Sequence, residues 1–176
     1  MKLLIIESAG KLKKLRSILG PEWRVEASLG HVRDLPAEGG LHVGDAPEFK
    51  PHYQVKSDRK EVVARLKKLA GTADVYLGTD PDREGEAIAW HLAQCLKVKS
   101  PKRVRFGEIT EKAVKAAIAA PAALDTRLVG AQEARRVLDR LVGFRVSPAL
   151  QRRTGEKLSA GRVQTPSVRL VVLREH

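Results

Sequence analysis

The sequence has little cysteine, few aromatic residues and no long apolar run. Cys95 is the only cysteine among 176 residues, which excludes an internal disulfide and a thiolate zinc cluster and favours a reducing compartment. No apolar run approaches the roughly 18 to 20 residues that cross a bilayer, and the opening MKLLIIESAG becomes polar too early for a secretory signal. With 43% hydrophobic residues the chain can still bury a normal core. We therefore expect a globular, cytoplasmic protein with no membrane partner.

The charge of the chain is unbalanced towards cations. There are 33 Lys and Arg residues against 21 Asp and Glu, which gives a formal net charge of +12. From Arg135 onward, ten cationic side chains, nine of them Arg, accompany three acidic ones. Arg pairs with phosphate through two parallel hydrogen bonds, so this segment favours nucleic acid as a partner over a merely soluble surface. Because aromatic residues make up only 4% of the chain, base stacking is not expected to be the main source of affinity.

Short apolar runs alternate with helical periodicity along the first 120 residues. Strands are predicted at residues 2–7, 24–29, 74–79 and 102–106, and helices at 11–19, 57–71, 86–96 and 110–120. This alternation is typical of βαβ units and predicts an α/β fold, with a parallel sheet flanked by helices. Residues 37–53, rich in Gly, Pro and His, are expected to form an inserted loop. We therefore predict one α/β domain at residues 1–122 and the start of a helical domain at residues 123–176.

Four carboxylates are crowded into the segment TDPDREGEA at residues 79–87, namely Asp80, Asp82, Glu84 and Glu86. Functional groups in α/β sheets collect beyond the carboxyl ends of the strands, and both this segment and Glu7 follow predicted strands. Glu7, Asp80 and Asp82 should then share one crevice, where like charges repel one another unless a cation lies between them. Carboxylate oxygens are ligands that Mg²⁺ prefers. The segment therefore predicts a Mg²⁺ site, with a solvated acidic helix start as the simpler alternative.

Five segments of the chain resemble type IA DNA topoisomerases, in the family's order and near its spacing. They are LGHVRDLP (29–36), TDPDREGEAIAWHL (79–92), GEIT (107–110), QEARRVLDRLVGFRVSP (132–148) and LSAGRVQTPSVRLVVLRE (158–175). A Glu after the first strand followed by D-x-D-x-E-G after a later strand also resembles the Toprim domain. The resemblance implies a Rossmann-like Toprim sheet followed by a helical segment. It also implies an enzyme that relaxes negatively supercoiled DNA without ATP, through a 5'-phosphotyrosine intermediate.

The resemblance further implies roles for individual residues of the acidic crevice. Glu7 matches a general acid beside the leaving 3'-oxygen and is close to the metal ion, and Lys11 matches a group that stabilises charge on the phosphate. The positions that match the family's Mg²⁺-binding acidic triad are Asp80, Asp82 and Glu84. Arg83 lies among these carboxylates and could contact the scissile phosphate.

Other matching positions imply contacts with a single-stranded segment of DNA. They are Arg136, Asp139, Arg140, Arg162 and Gln164. Arg136 and Arg140 share one helix face at i, i+4 spacing, where Asp139 can orient a guanidinium. Binding of this kind should depend strongly on salt.

The tyrosines of the chain do not match the family's nucleophile. Tyr53 lies in the insert and Tyr76 in a predicted strand, and neither has the nucleophile's sequence context. We therefore expect an N-terminal piece of a longer topoisomerase, which needs the remainder of that chain and cleaves no DNA alone. One alternative is a Toprim nuclease or primase, which needs no tyrosine, and another is a non-catalytic DNA-binding module.

Three polar residues are assigned structural roles from the sequence. His31 and His91 have no partners that would suggest a zinc site, so each is expected to make a structural hydrogen bond. Glu86 follows the acidic triad at the start of a helix. For this residue we expect an interaction with the helix dipole or with solvent.

Overall fold

The computed structural model describes residues 1–175. The strands are β1 (Lys2–Ile6), β2 (Trp23–Ala27), β3 (Arg33–Asp34), β4 (Gln54–Val55), β5 (Asp74–Leu77) and β6 (Lys102–Arg103). Four of them form a parallel sheet in the order β2-β1-β5-β6. The helices are α1 (Leu12–Leu19), α2 (Lys60–Ala70), α3 (Arg83–Leu96), α4 (Glu111–Ala119), α5 (Thr126–Leu141), α6 (Ser147–Thr154) and α7 (Gln164–Glu175). Strands β3 and β4 pair separately as a short antiparallel ribbon. The predicted parallel α/β fold followed by a helical segment is confirmed.

The two faces of the sheet bury different residues of the same strands. In β1, Leu3 and Ile5 belong to the core cluster that includes Leu66 of α2 and Ile88 of α3. Leu4 and Ile6 belong to the opposite cluster, which includes Leu15 of α1 and Val114 of α4. Successive side chains of a strand point to opposite faces, and both faces are covered, so β1 is an almost continuous apolar run. In the strand order of the sheet, β1 lies beside β5 at the centre.

Several element boundaries differ from the sequence prediction, each for a local reason. Helix α3 begins at Arg83 rather than at residue 86, because Asp82 caps it with a side-chain hydrogen bond. Ser57 and Asp58 do not cap α2, since both lie in a 3₁₀ turn that precedes it. Strand β6 is only two residues long rather than five, and Arg103 also forms an isolated bridge with Ala122.

The chain divides into two compact units. The first comprises Met1–Asp34 and Gln54–Gln132 and contains both sheets, and the second comprises Leu35–Tyr53 and the described chain from Glu133 onward. In the second unit the insert is irregular apart from a bridge between Val43 and Pro51, and the helical part contains α6 and α7. The predicted domain boundary between residues 122 and 123 stays a prediction. Among residues 1–175, no helix combines the length and apolarity that a membrane crossing requires.

Candidate active site at the carboxyl edge of the sheet

The two central strands bring Glu7 and the acidic segment to the same edge of the sheet. Strand β1 pairs in parallel with β5, with Ile5 opposite Leu77, so Glu7 and Asp80 follow neighbouring strand ends. Burial raises the pKa of the Glu7 carboxyl above its usual value, and the nearby Asp80 and Asp82 carboxylates raise it further, while Lys11 opposes the shift. The acidic residues are therefore close enough for their charges to act on Glu7.

The loop between β5 and α3 is held by a dense set of short contacts. The Gly85 amide donates to Asp82 Oδ1 at 2.7 Å, and the Thr79 hydroxyl donates to the Gly85 carbonyl at 2.6 Å. A Cβ added at Gly85 would overlap the Asp80 carbonyl oxygen. Gly85 is thus required by the close approach of two backbone segments, and this approach fixes where Asp80 and Asp82 stand.

Each of the other carboxylates of the acidic segment also has a partner. Lys11 Nζ donates to Asp80 Oδ1 at 2.6 Å, with both side chains partly exposed. His31 Nε2 lies 2.6 Å from Glu84 Oε1. Asp80 and Glu84 thus each have a hydrogen-bonding partner from another part of the first unit.

A pocket opens beside this loop in the first unit. Its volume is about 500 Å³, and its lining residues are Lys11, Asp80, Pro81, Asp82, Phe106, Gly107 and Ile109. Arg83, the first residue of α3, is exposed to solvent. The lining of the pocket therefore combines a cation and two carboxylates with apolar side chains.

The donor set of the pocket fits a divalent cation that is completed by a substrate. Within residues 1–175, no group of three His, Cys, Asp or Glu side chains is arranged so that it could hold a metal ion. Mg²⁺, however, is commonly held by one or two carboxylates together with phosphate oxygens and water. Asp80 and Asp82 on one pocket wall supply those two carboxylates. The wider site of Glu7, Asp80, Asp82 and Glu84 stays a prediction.

A buried ion pair between Arg103 and Glu86 holds the backbone of the acidic loop. Arg103 is fully buried, and its guanidinium donates to the carbonyl oxygens of Leu77, Thr79 and Asp80 at 2.8 to 3.0 Å. Its Nε donates to Glu86 Oε2 at 2.9 Å. The backbone from the end of β5 to Asp80 is therefore fastened to one side chain of β6.

Glu86 is the acceptor for three donors of the first unit. Besides Arg103 it accepts hydrogen bonds from Arg105 and from the Asp125 amide, the latter at 2.7 Å. Burial alone would raise the pKa of Glu86, but the bonds from Asp125, Arg105 and Arg103 together lower it below its usual value. Because Glu86 is completely buried, the expected solvent role is wrong, whereas its position in the first turn of α3 agrees with the expected interaction with the helix dipole.

The sequence did not identify Arg103 and Glu86 as a pair. The only available signal was a charged residue inside the predicted strand KRVRF, which hydrophobic periodicity treats as an exposed position. Among the histidines, His91 has the expected structural role, since it accepts a hydrogen bond from Arg33 Nε at 3.0 Å. Burial, aided by Arg33, lowers the pKa of His91 to about 3 and keeps the ring neutral.

The second unit holds the predicted DNA contacts, and its basic side chains are partly engaged within the unit. Arg162 Nε donates to Asp139 Oδ1 at 2.9 Å. Arg140 is buried, donates to the Leu35 carbonyl at 3.0 Å and lies 4.8 Å from the ring centre of Phe144. Arg136 is partly exposed on α5, and exposed Gln164 donates to the carbonyl and hydroxyl oxygens of Ser159. The DNA contacts of these residues stay predictions.

Comparisons with known proteins match the α/β part and the helical part of the chain separately. The family model of the Toprim domain matches residues 2–109, and a family model described as DNA topoisomerase matches residues 123–176. DNA topoisomerase I, plasmid, from Xylella fastidiosa is 62% identical over 177 residues, covering 99% of this chain and 26% of that protein. DNA topoisomerase 1 of Streptomyces coelicolor is 48% identical over 188 residues, covering 99% of this chain and 20% of that protein.

A solved structure extends this similarity to three dimensions. Full-length topoisomerase I from Thermotoga maritima superposes with a TM-score of 0.91 at 43% identity, and the match covers 99% of this chain and 30% of that one. The chain thus spans about a quarter of the length of the relatives that it matches.

Proposed function

Because this chain belongs to the type IA DNA topoisomerase family, we propose that it supplies the metal-binding and phosphate-binding part of an enzyme that relaxes negatively supercoiled DNA. The reaction is the ATP-independent cutting and resealing of one strand through a 5'-phosphotyrosine intermediate. The observation that carries the proposal is the placement of Glu7 and the Asp80–Asp82 loop after neighbouring parallel strands, with Lys11 between them.

Asp80 and Asp82 are the proposed principal ligands of a Mg²⁺ ion, with Glu7 and Glu84 close to the same ion. When bound, the ion neutralises the carboxylates and the charge of a phosphate in transfer. Asp80 would hold the ion through a carboxylate lone pair that the Lys11 ammonium does not use, since Lys11 Nζ bonds to Oδ1 at 2.6 Å. Lys11 lies beside Asp80 in the pocket, and its positive charge is proposed to stabilise the additional negative charge of the phosphate in the transition state.

Glu7 is the proposed general acid for the departing 3'-oxygen. A carboxyl group serves as an acid near neutral pH only if its pKa is raised, and burial together with Asp80 and Asp82 raises the pKa of Glu7. Arg83 begins α3 at the exposed rim of the loop, and we propose that its guanidinium contacts the scissile phosphate.

The nucleophile is proposed to come from outside these 176 residues. Tyr76 is buried in β5 and packs edge-on against Trp23, with ring centres 4.8 Å apart. The hydroxyl of Tyr53 is buried in the second unit. Neither residue lines the pocket, so the chain alone is expected to bind Mg²⁺ and DNA without cutting.

The basic helical segment is the proposed groove for single-stranded DNA. Its members are Arg136, Asp139, Arg140, Arg162 and Gln164. The Asp139 carboxylate fixes the Arg162 guanidinium, which favours directed pairing with a phosphate over a mobile surface charge. Affinity should fall steeply with salt, because each neutralised phosphate releases counterions.

Calorimetric titration with MnCl₂ or MgCl₂ tests the metal site. The double variant Asp80→Asn/Asp82→Asn should lose divalent uptake, whereas the matched double variant Asp45→Asn/Asp58→Asn, at exposed positions, should keep it. Equal uptake by both variants would reject the site and leave a non-catalytic DNA-binding module. Nicking of supercoiled plasmid by the purified chain with Mg²⁺ would instead favour a Toprim nuclease.

A further inference from the structure

The pocket beside the acidic loop is larger than a cation and a phosphate require. An octahedral ion with six waters fills on the order of 180 Å³, at about 30 Å³ per water. The pocket measures about 500 Å³, which is in the usual range for sites that enclose an organic ligand. Space beyond the hydrated ion is therefore left for the phosphate and for another part of the substrate.

The lining of the pocket also contains three apolar side chains, those of Phe106, Ile109 and Pro81. Phe106 and Ile109 are half-buried and pack against the core cluster on the α1 and α4 side of the sheet. Gly78 supports the Phe106 ring from the end of β5, since a Cβ added there would lie 3.4 Å from Phe106 Cε1. A fixed aromatic ring with an accessible side offers nothing to a hydrated ion, but it can pack against a flat apolar group.

We propose that Phe106, together with Ile109, forms a stacking platform for the nucleobase of the nucleotide whose phosphate is bound beside Lys11 and Asp80. This inference rests on the proposed function, because it takes the same phosphate as its starting point. The occupant is a nucleobase of single-stranded DNA. Lys11, which now bonds to Asp80 at 2.6 Å, marks the phosphate side of the pocket, and Phe106 marks the base side.

The platform should be tolerant of base identity. Phe106, Ile109 and Pro81 carry no side-chain donor or acceptor that could identify a base edge, and every base has a π-face that stacks. Affinity should therefore depend on whether a base is present and only weakly on which base it is.

Binding of small phosphates to the whole 176-residue chain tests the platform. ¹⁵N-labelled protein with MgCl₂ is titrated with thymidine 5'-monophosphate and with 2-deoxyribose 5-phosphate, and amide shifts are followed by NMR. We expect thymidine monophosphate to bind between about fivefold and about a hundredfold more tightly, which is the usual range for one stacked base. The four deoxynucleoside monophosphates should agree within about fivefold, and the shifts should centre on Phe106 to Ile109.

The variant Phe106→Leu keeps apolar bulk against the core but removes the aromatic face. In this variant the affinity for thymidine monophosphate should fall close to the affinity for deoxyribose phosphate, and the affinity for deoxyribose phosphate should be unchanged. Phe49→Leu in the insert is the matched control. Two results would reject the stacking platform but leave the phosphate site standing. One is equal affinity of the wild-type chain for both ligands, and the other is a Phe106→Leu variant that still binds thymidine monophosphate as much more tightly as the wild-type chain does. If deoxyribose phosphate does not bind, or binds equally to Asp80→Asn and Lys11→Gln variants, the phosphate site of the proposed function is rejected, and the platform with it.

Discussion

Substitution of Glu86 by Gln tests whether the buried ion pair holds the acidic loop. Glu86 and Arg103 are both fully buried, and Glu86 also accepts from Arg105 and the Asp125 amide. Gln retains one acceptor oxygen but turns an NH₂ group towards these donors and leaves the Arg103 charge uncompensated. Removal of one partner of a buried pair costs about 3 to 5 kcal/mol. We take the lower value, about 3 kcal/mol, because Arg103 keeps its bonds to backbone carbonyls.

For a chain of this size a loss of about 3 kcal/mol should lower the melting temperature by about 6 to 12 °C. Both tryptophans, Trp23 and Trp90, lie in the first unit, so fluorescence reports its unfolding separately. Glu111→Gln is the matched control, since its pair with Lys115 is exposed on α4, and it should hardly change the melting temperature.

The pH dependence of this difference has a defined sign. The pKa of Glu86 is lowered in the folded state, so its stabilisation is present above about pH 4.5 and is lost as the pH falls through the folded value. The difference in melting temperature between the wild-type chain and Glu86→Gln should therefore decrease only at acidic pH. A Glu86→Gln variant that melts like the Glu111→Gln control at neutral pH would refute the assigned role of the pair.

Two further predictions concern the loop and its neighbour. Gly85→Ala places a Cβ against the Asp80 backbone and should destabilise the first unit by about 1 to 3 kcal/mol. Gly130→Ala, at a helical position with open space around it, should instead stabilise the chain by about 0.5 to 1 kcal/mol. If both variants shifted the melting temperature in the same direction, the close approach at Gly85 would be contradicted. Glu7→Gln should melt above the wild-type chain at pH 7, because the pKa of Glu7 is raised in the folded state and ionisation opposes folding there. That advantage should disappear as the pH falls below about 4.5, and a constant difference across this range would show that charge is not its cause.

The position of the candidate site was predictable because its carboxylates directly follow the carboxyl ends of strands. An apolar run followed by a carboxylate occurs at Glu7 and again at Asp80, and parallel strands present their carboxyl ends at one edge. Pairing of β1 with β5 then follows the usual order of such sheets. The helical character beyond residue 125 was equally clear from periodicity.

The partners of the charged side chains were not predictable from spacing. Lys11 and Asp80 are 69 positions apart, and Arg103 and Glu86 are 17 apart. Periodicity reports which face of an element is apolar, but it carries no information on which charges meet after packing. The shortening of β6 was also missed, because the segment KRVRF was interpreted as a longer strand. In the structure Arg103 is buried as fully as its neighbour Val104.

The pairing of the first strand with a strand some seventy residues later has a consequence for when the pocket exists. A synthetic peptide carrying only the acidic loop would lack Glu7, Lys11 and the Arg103 anchor, and it would be a flexible polyanion. During translation the amino-terminal strand must wait until Ile109 has left the ribosome before all lining residues of the pocket are available. A partly synthesised chain therefore has no assembled candidate site.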